Sequence, residues 1–195
     1  MEYQQLIALV SFAFVSTVTP GPNNIMIMSS GASVGFIRTI PHMLGVVFGF
    51  SLMVILLGFG LTGLFTRYPF IHQLLQIACI LYLLFLAFKI ARSKPVNATH
   101  QQYQAMSFLS AAAFQWVNPK AWSMALSAIS VYAPSSELNS VLLVSLIFSL
   151  INLPSVGIWA AAGKQLQTFL TAPNKIRAFN YCMAGLLVIS VIPMV

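Results

Sequence analysis

Six long apolar segments run along the chain, separated by short polar or basic stretches. A helix needs about 20 apolar residues to cross a hydrocarbon core about 30 Å thick, and most of these segments reach that length. The pattern therefore predicts an all-α membrane protein with six transmembrane helices, at 6–28, 42–64, 70–91, 107–131, 140–162 and 178–193.

Two of the predicted spans are interrupted by proline motifs. The first span contains Thr19, Pro20, Gly21, Pro22, Asn23 and Asn24, and the fourth contains Gln115, Trp116, Val117, Asn118, Pro119 and Lys120. Because proline lacks an N–H and pushes the preceding residue out of the helical region, helices 1 and 4 are predicted to break there. One proline alone is compatible with a simple kink. Two matched breaks favour a protein-lined cavity, since freed backbone groups at membrane depth need partners.

The breaks occupy corresponding places in two halves of the chain. Residues 1–92 hold three spans, 93–106 form the only extended polar loop, and 107–195 hold the other three spans. After three crossings the second half enters from the opposite side, so two inverted three-helix repeats are expected. With the N-terminus outside, seven Lys and Arg residues lie inside and only Arg67 lies outside. The positive-inside rule then places both termini outside and the loop 93–106 in the cytoplasm.

Composition supports a membrane protein and excludes an ordinary soluble one. Hydrophobic residues make up 59% of the chain and charged residues 6%, with a mean hydropathy of +0.90; a soluble domain carries about 25% charged residues. The net charge of +7 does not indicate nucleic acid here, because the few basic residues lie mostly between spans. The expected partners are the lipid bilayer and a small substrate. No cofactor or metal is expected, since the cysteines and histidines show no metal-ligand spacing.

Polar side chains inside the predicted spans need an explanation. Lys120 lies near the middle of the fourth span, where a cation costs at least about 2.5–3.5 kcal/mol. It is either functional or a lysine that extends towards water. Polar residues also recur at helical spacing in the fourth and fifth spans, at Ser123, Ser127 and Ser130 and at Ser145, Ser149 and Asn152. The serines are best explained by helix packing, and Asn152 by the lining of a hydrated path.

The two breaks suit a small zwitterionic substrate. Helix N-termini near Pro22 and Pro119 favour a carboxylate, which Lys120 would also hold. Side-chain amides and unwound carbonyl oxygens would contact the rest of the molecule. The predicted substrate site consists of Thr19, Pro20, Gly21, Pro22, Asn23, Asn24, Gln115, Asn118, Pro119, Lys120 and Asn152.

The chain offers few groups for proton coupling. Its two acids, Glu2 and Glu137, both lie at span ends, so a carboxylate relay inside the membrane is not available. Coupling to protons would need Lys120, His42 or His72, and the two histidines are expected to be interfacial because they lie near span ends.

Two other classes of function stay open. A passive channel for small polar solutes would use the same lining. The stretch 31–35 matches GxSxG, which would make Ser33 the nucleophile of an intramembrane enzyme, although no histidine is predicted at matching depth. Small-residue packing explains that stretch more simply. Gly45 and Gly49 form a GxxxG pair that suits packing within the chain or across a homodimer.

At these motifs the chain resembles the LysE/RhtB family of amino-acid exporters of bacterial inner membranes, over nearly its whole length. The Pro-Gly-Pro-Asn-Asn version of the first motif, followed by Ile25, resembles that of the cysteine and O-acetylserine exporters. The resemblance implies efflux of a small amino acid or derivative, driven by the proton gradient. Other members often carry Asp where this chain has Asn23, and this departure argues against a preference for basic amino acids.

Overall fold

A computed structural model describes residues 2–61, 69–92, 105–134, 137–170 and 172–189. Within these ranges the chain forms helices and no strands, which confirms the all-α prediction. The helices are α1 (Tyr3–Val18), α2 (Pro22–Val34), α3 (Phe36–Leu56), α4 (Pro69–Ala91), α5 (Phe108–Phe114), α6 (Pro119–Tyr132), α7 (Leu138–Gln167) and α8 (Pro173–Ile189). A wide π turn, Leu57–Leu61, follows α3, and a 3-10 turn, Gln115–Val117, links α5 to α6.

The described helices occupy all six predicted segments, but fewer of them meet the length needed to cross a membrane. Phe36–Gly60 and Leu138–Leu166 are long and apolar enough by themselves. Helices α1 and α2 meet the same test as a pair bent by 53°. Shorter apolar helices cover Ile80–Ala91 and Phe108–Val117. Two to three spans are therefore supported, and six crossings stay a prediction.

The second long helix begins earlier than predicted, at Phe36 instead of near residue 42. Gly35 separates α2 from α3 with a φ of +81°, a left-handed conformation that glycine adopts without a side-chain clash. Arg38 lies exposed in the first turn of α3 and not in a loop, because a long arginine side chain keeps its charge in water from a helix end. Most of the predicted central loop (93–104) and Arg67 lie outside the described residues.

Helix α7 is the centre of the packing and contacts α1, α2 and α3. Its closest neighbour is α2, and glycines on both helices permit the approach. A Cβ at Gly31 would meet the main chain of Ala160, and a Cβ at Gly163 would meet the main chain of Met28. Small residues at such a crossing let two backbones come close in a membrane, where packing is the main source of helix association.

The GxxxG pair is used inside the chain. A Cβ at Gly45 would meet Phe108 and Ala111, and a Cβ at Gly49 would meet Ala112, all on α5. Helix α3 from the first half therefore packs directly on α5 from the second half. The two halves interleave, and this glycine pair is not available to a dimer.

The sequence folds into three buried apolar clusters under a surface that is itself apolar. The largest cluster joins α1, α3, α6 and α7 around Phe50, Met53 and Phe148. Many large apolar side chains are exposed, such as Phe48, which is 58% exposed, and Leu150, which is 64% exposed. Helices that face lipid carry such side chains outwards, since water is not their solvent.

Candidate functional site

The first proline motif separates α1 from α2. Thr19 and Gly21 have extended backbones, and Pro22 is the first residue of α2, where its missing N–H costs nothing. The break frees carbonyl groups at the C-terminus of α1, and side chains satisfy them. The Asn24 Nδ2 donates to the carbonyls of Thr17 and Thr19 at 2.7 and 2.9 Å, and the Trp159 indole of α7 donates to that of Val18 at 3.1 Å.

The second motif has the same local form. Helix α5 ends in the 3-10 turn, Asn118 is extended, and Pro119 is the first residue of α6. The indole of Trp122 donates to the carbonyl of Trp116 at 2.9 Å and holds the two sides of the break together. In both motifs an extended residue precedes a proline that begins a helix.

The two motifs contact each other through a reciprocal amide pair. The Asn23 Nδ2 donates to the Gln115 Oε1 at 2.8 Å, and the Gln115 Nε2 donates back to the Asn23 Oδ1 at 3.1 Å. The Gln115 Nε2 also donates to the carbonyl of Ala111 at 2.9 Å. Gln115 is fully buried, so this pair fixes the first break against the second.

Lys120 crosses from the second break to the first. Its Nζ donates to the Thr19 carbonyl at 2.9 Å, to the Thr19 Oγ1 at 2.7 Å and to the Pro20 carbonyl at 3.4 Å. The ammonium group therefore binds the C-terminal end of α1, the negative end of that helix dipole. The sequence predicts a lysine that holds a substrate carboxylate, and in this structure its donors point to two backbone oxygens and the Thr19 hydroxyl.

A small polar recess lies between the two motifs. Six of the predicted site residues line it directly: Gly21, Asn23, Asn24, Asn118, Lys120 and Asn152. Thr19 accepts hydrogen bonds from Asn24 and Lys120, and Gln115 accepts one from Asn23. Pro20, Pro22 and Pro119 shape the breaks and are not among the residues that line the recess.

Five further lining residues were missed by the sequence reasoning. Ser16 and Thr17 lie within one turn of the first break, so helical spacing back from Thr19 would have found them. Ala121 and Met124 lie next to and one turn after Lys120, so the same spacing would have found them; no sequence signal indicates the fifth, which reaches the recess through tertiary packing. The five are Ser16, Thr17, Phe50, Ala121 and Met124.

Asn118 carries an unused hydrogen-bonding atom at the recess. The side chain is 1% exposed, and its Oδ1 has no partner among the described residues. A buried carbonyl oxygen without a donor is costly, so such atoms are rare in folded proteins. A donor group on a bound substrate would satisfy it.

The serine stripe on α7 serves packing, as predicted. Ser145 donates to the carbonyl of Ser51 at 3.3 Å, and the hydroxyls of Ser149 and Ser51 lie 2.5 Å apart. These bonds join α7 to α3. Asn152, one turn further on, lines the recess.

His42 is buried within the protein, and its expected position at the membrane interface stays a prediction. Because α3 begins at Phe36, His42 lies inside that helix; it is 1% exposed, and its Nδ1 lies 3.0 Å from the Ser30 hydroxyl of α2. Ser33 lies exposed within α2, so a helix and not a strand precedes the GxSxG stretch. Among the described residues no histidine is hydrogen-bonded to Ser33, as a serine nucleophile would need. The side chains of His72 and Cys79 lie outside the described residues, and Cys182 is free and exposed.

Apolar helices that enclose a polar recess between two interrupted helices are typical of membrane transport proteins. The LysE type translocator family matches residues 14–191. The chain therefore belongs to the LysE family of translocators and is a transporter, not an enzyme.

Two relatives support this assignment. A protein of Klebsiella pneumoniae named "Cysteine/O-acetylserine efflux protein" is 30% identical over 186 residues, which cover 93% of this chain and 92% of the relative. A protein of the same name from Escherichia coli strain K12 is 33% identical over 186 residues, which cover 94% and 93%. No solved structure matches the chain. LysE-family exporters are multi-pass proteins of the inner membrane, and the apolar helices of this chain agree with insertion there.

Proposed function

We propose that this protein exports a small neutral amino acid or derivative, of the cysteine, O-acetylserine or homoserine kind, across the bacterial inner membrane. The export uses alternating access and is driven by the proton gradient. The observation that carries the proposal is the amide-lined recess between the two proline breaks. The names of the relatives supply the substrate class.

Six spanning helices in two inverted halves form the proposed architecture. Helices α1 with α2, and α5 with α6, each make one broken span. Seven of the nine basic residues then lie on the cytoplasmic side, and both termini are periplasmic. A recess between the two breaks would lie near the midplane, where such transporters bind their substrates.

Two helix N-termini meet at the recess and favour the substrate carboxylate. Helix α2 begins at Pro22 beside Gly21 and Asn23, and α6 begins at Pro119 beside Asn118. The free N–H groups and the positive dipole ends of two helices attract an anion.

A neutral side chain on the substrate agrees with the charges of the lining. No lining residue among those described carries a carboxylate, and the only charged one is Lys120. A second cationic group, as on lysine, would find no opposite charge there. The free Oδ1 of Asn118 accepts a hydrogen bond from a hydroxyl, thiol or ammonium group of the substrate.

The reciprocal pair of Asn23 and Gln115 joins the two breaks next to the recess, which Asn23 lines. When one half rocks against the other, this pair breaks on one side of the cycle and re-forms on the other. The recess is thereby exposed to each face of the membrane in turn.

Uptake into inside-out membrane vesicles tests the proposal. Vesicles containing the wild type or one variant receive labelled cysteine, O-acetylserine, homoserine or lysine, with and without a proton gradient. Saturable, gradient-stimulated uptake of a neutral amino acid is expected, with a loss of at least about tenfold in Asn118→Ala and Asn152→Ala because both line the recess. Asn139→Ala, on an exposed position of α7, is the matched control and keeps its activity.

Two results would contradict the proposal. If folded wild-type protein transports none of the four compounds, the proposed substrate class is wrong. Equal uptake by Asn118→Ala, Asn152→Ala and the control would show that the site lies elsewhere.

A further inference from the structure

Three oxygen atoms at the end of α1 surround the ammonium group of Lys120. They are the Thr19 carbonyl, the Thr19 Oγ1 and the Pro20 carbonyl, at 2.9, 2.7 and 3.4 Å from the Nζ. We call these three atoms the oxygen cage. A primary ammonium has three N–H donors and no acceptor, so the number of acceptors in the cage equals the number of its donors.

The local sequence builds this cage. The first proline motif ends α1, so its last carbonyls have no helical N–H to accept from. Unwound carbonyls and half-helix C-termini are the groups with which transporters coordinate cations. Gly21 lets the lysine stem approach, because a Cβ there would lie 2.8 Å from the Lys120 Cδ and 3.1 Å from its Nζ.

The cage borders the substrate recess. Gly21 and Lys120 both line that recess, together with Asn23 and Asn24. An amino-acid substrate carries the same chemical group that Lys120 places in the cage, a primary ammonium on an sp³ carbon. With all three acceptors in use, the cage holds one ammonium at a time.

We propose that the oxygen cage is the ammonium site of this transporter, and that Lys120 and the substrate occupy it in turn. The part concerning the substrate rests on the proposed export function; the ammonium selectivity of the cage does not. Lys120 thus carries the coupling proton and does not bind the substrate carboxylate.

The exchange balances one proton against one amino acid. On the cytoplasmic side the Lys120 ammonium gives a proton to water, its neutral amine leaves the cage, and the substrate ammonium enters. On the outer side the substrate leaves, Lys120 takes a proton from water and its ammonium returns. Only N–H and O–H bonds form or break. Because both cations use one cage, neither moves without the other.

No other titratable group lines the described part of the recess. Helices α2 and α5 contain none, and the only other one in α6 is Tyr132 at its far end. The other neighbouring helices carry titratable groups that are not among the residues lining the recess. Those whose side chains the structure describes are Glu2 and Tyr3 at the start of α1, Arg38 and the Ser30-bonded His42 on α3, Tyr82 and Lys89 on α4, and Glu137 and Lys164 towards the ends of α7; the side chains of His72 and Cys79 on α4 lie outside the described residues.

Chemical rescue tests the cage without any transport. Lys120→Ala empties it, and methylammonium, like the lost side chain, carries a primary ammonium on an sp³ carbon. We expect methylammonium, at about ten times its Kd, to raise the Tm of purified Lys120→Ala by about 3–6 °C. Tetramethylammonium, which has no N–H, and sodium should have little effect. Wild type and the exposed-lysine control Lys164→Ala should not respond.

Equal effects of methylammonium, tetramethylammonium and sodium, or no effect of any, would overturn the ammonium site. If Lys120→Ala does not fold, Lys120→Met keeps the length of the side chain without its charge and takes its place in the same test.

Calorimetry in two buffers of different ionisation enthalpy tests the exchange. Wild type should release about one proton for each cysteine bound, and Lys120→Met should bind cysteine and release none. Lys120→Arg should not bind it, since a guanidinium stays charged and remains in the cage. 3-Sulfanylpropanoate, which is cysteine without its amino group, should release no proton from wild type.

Proton release that is unchanged in Lys120→Met, or absent in wild type that binds cysteine, would overturn the exchange. If wild type binds no amino acid at all, the proposed function and the exchange both fall, whereas the rescue by methylammonium still decides whether the cage selects ammonium.

Discussion

The crossing of α2 and α7 allows a sharp test of the packing around the site. Gly163 on α7 lies against the main chain of α2: an added Cβ would meet the Met28 carbonyl and would lie 2.9 Å from the Ala32 nitrogen. Backbone atoms cannot rotate away as a side chain can, so Gly163→Ala forces the two helices apart.

Two opposing effects determine how much Gly163→Ala changes the free energy of unfolding. Overpacking a well-packed contact lowers it by about 1–3 kcal/mol, and the higher helix propensity of Ala offsets up to about 1 kcal/mol of that loss. Since the clash is with the backbone of α2 and not with a flexible side chain, a net loss of about 1–2 kcal/mol is expected. For a chain of this size that lowers the Tm by about 2–8 °C.

Gly157→Ala on the same helix is the matched control. Its Cβ would meet only the Met43 Cε, at the ordinary contact distance of 3.8 Å. Its Tm should stay unchanged or rise by up to about 4 °C, because the propensity gain is not opposed. Thermal unfolding of both purified variants, followed by circular dichroism, makes the comparison. If Gly163→Ala melts at or above Gly157→Ala, the two helices are farther apart than described and the reasoning is refuted.

Three further predictions concern the site itself. The reciprocal bonds of Asn23 and Gln115 should give a coupling free energy of about 1–3 kcal/mol in a double-mutant cycle of their alanine variants; a value near zero would contradict the pair. Ser30→Ala should lower the free energy of unfolding by about 1–3 kcal/mol, because it removes the described partner of the buried His42; unchanged unfolding in denaturant would contradict that contact. Gly21→Ala should displace the flexible lysine head from the oxygen cage, so proton release on cysteine binding should fall while the Tm changes by less than about 3 °C. Wild-type proton release by that variant would show that the close approach is not needed.

The helix ends next to the proline motifs could be predicted from sequence because their cause is local. Pro20, Pro22 and Pro119 remove N–H donors wherever the chain folds, and α1 ends and α2 and α6 begin next to them. That each motif interrupts one spanning helix stays a prediction. The apolar segments likewise predicted where helices form, since the length of an apolar run depends on the chain alone. The helix start at Phe36 was missed, because Arg38 was read as a loop residue although one arginine is tolerated in a first turn.

The partners of the polar side chains depend on tertiary packing and could not be predicted. Lys120 and Thr19 are about one hundred residues apart in sequence, and only the approach of the two breaks brings them together. Phe50 lines the recess because α3 packs against α1, α6 and α7. His42 is buried where α3 packs on α2, the helix that carries its partner Ser30. Spacing along one helix contains no information on these contacts.

Counterflow in proteoliposomes is the most direct test of an alternating-access site between the two breaks. Vesicles with purified protein are loaded with unlabelled cysteine, no ion gradient is imposed, and a trace of labelled cysteine is added outside. A carrier is expected to accumulate label transiently above equilibrium, and Asn118→Ala is expected to lose this overshoot, whereas Asn139→Ala keeps it. Label that equilibrates without an overshoot in wild type would indicate a passive channel and would contradict the account.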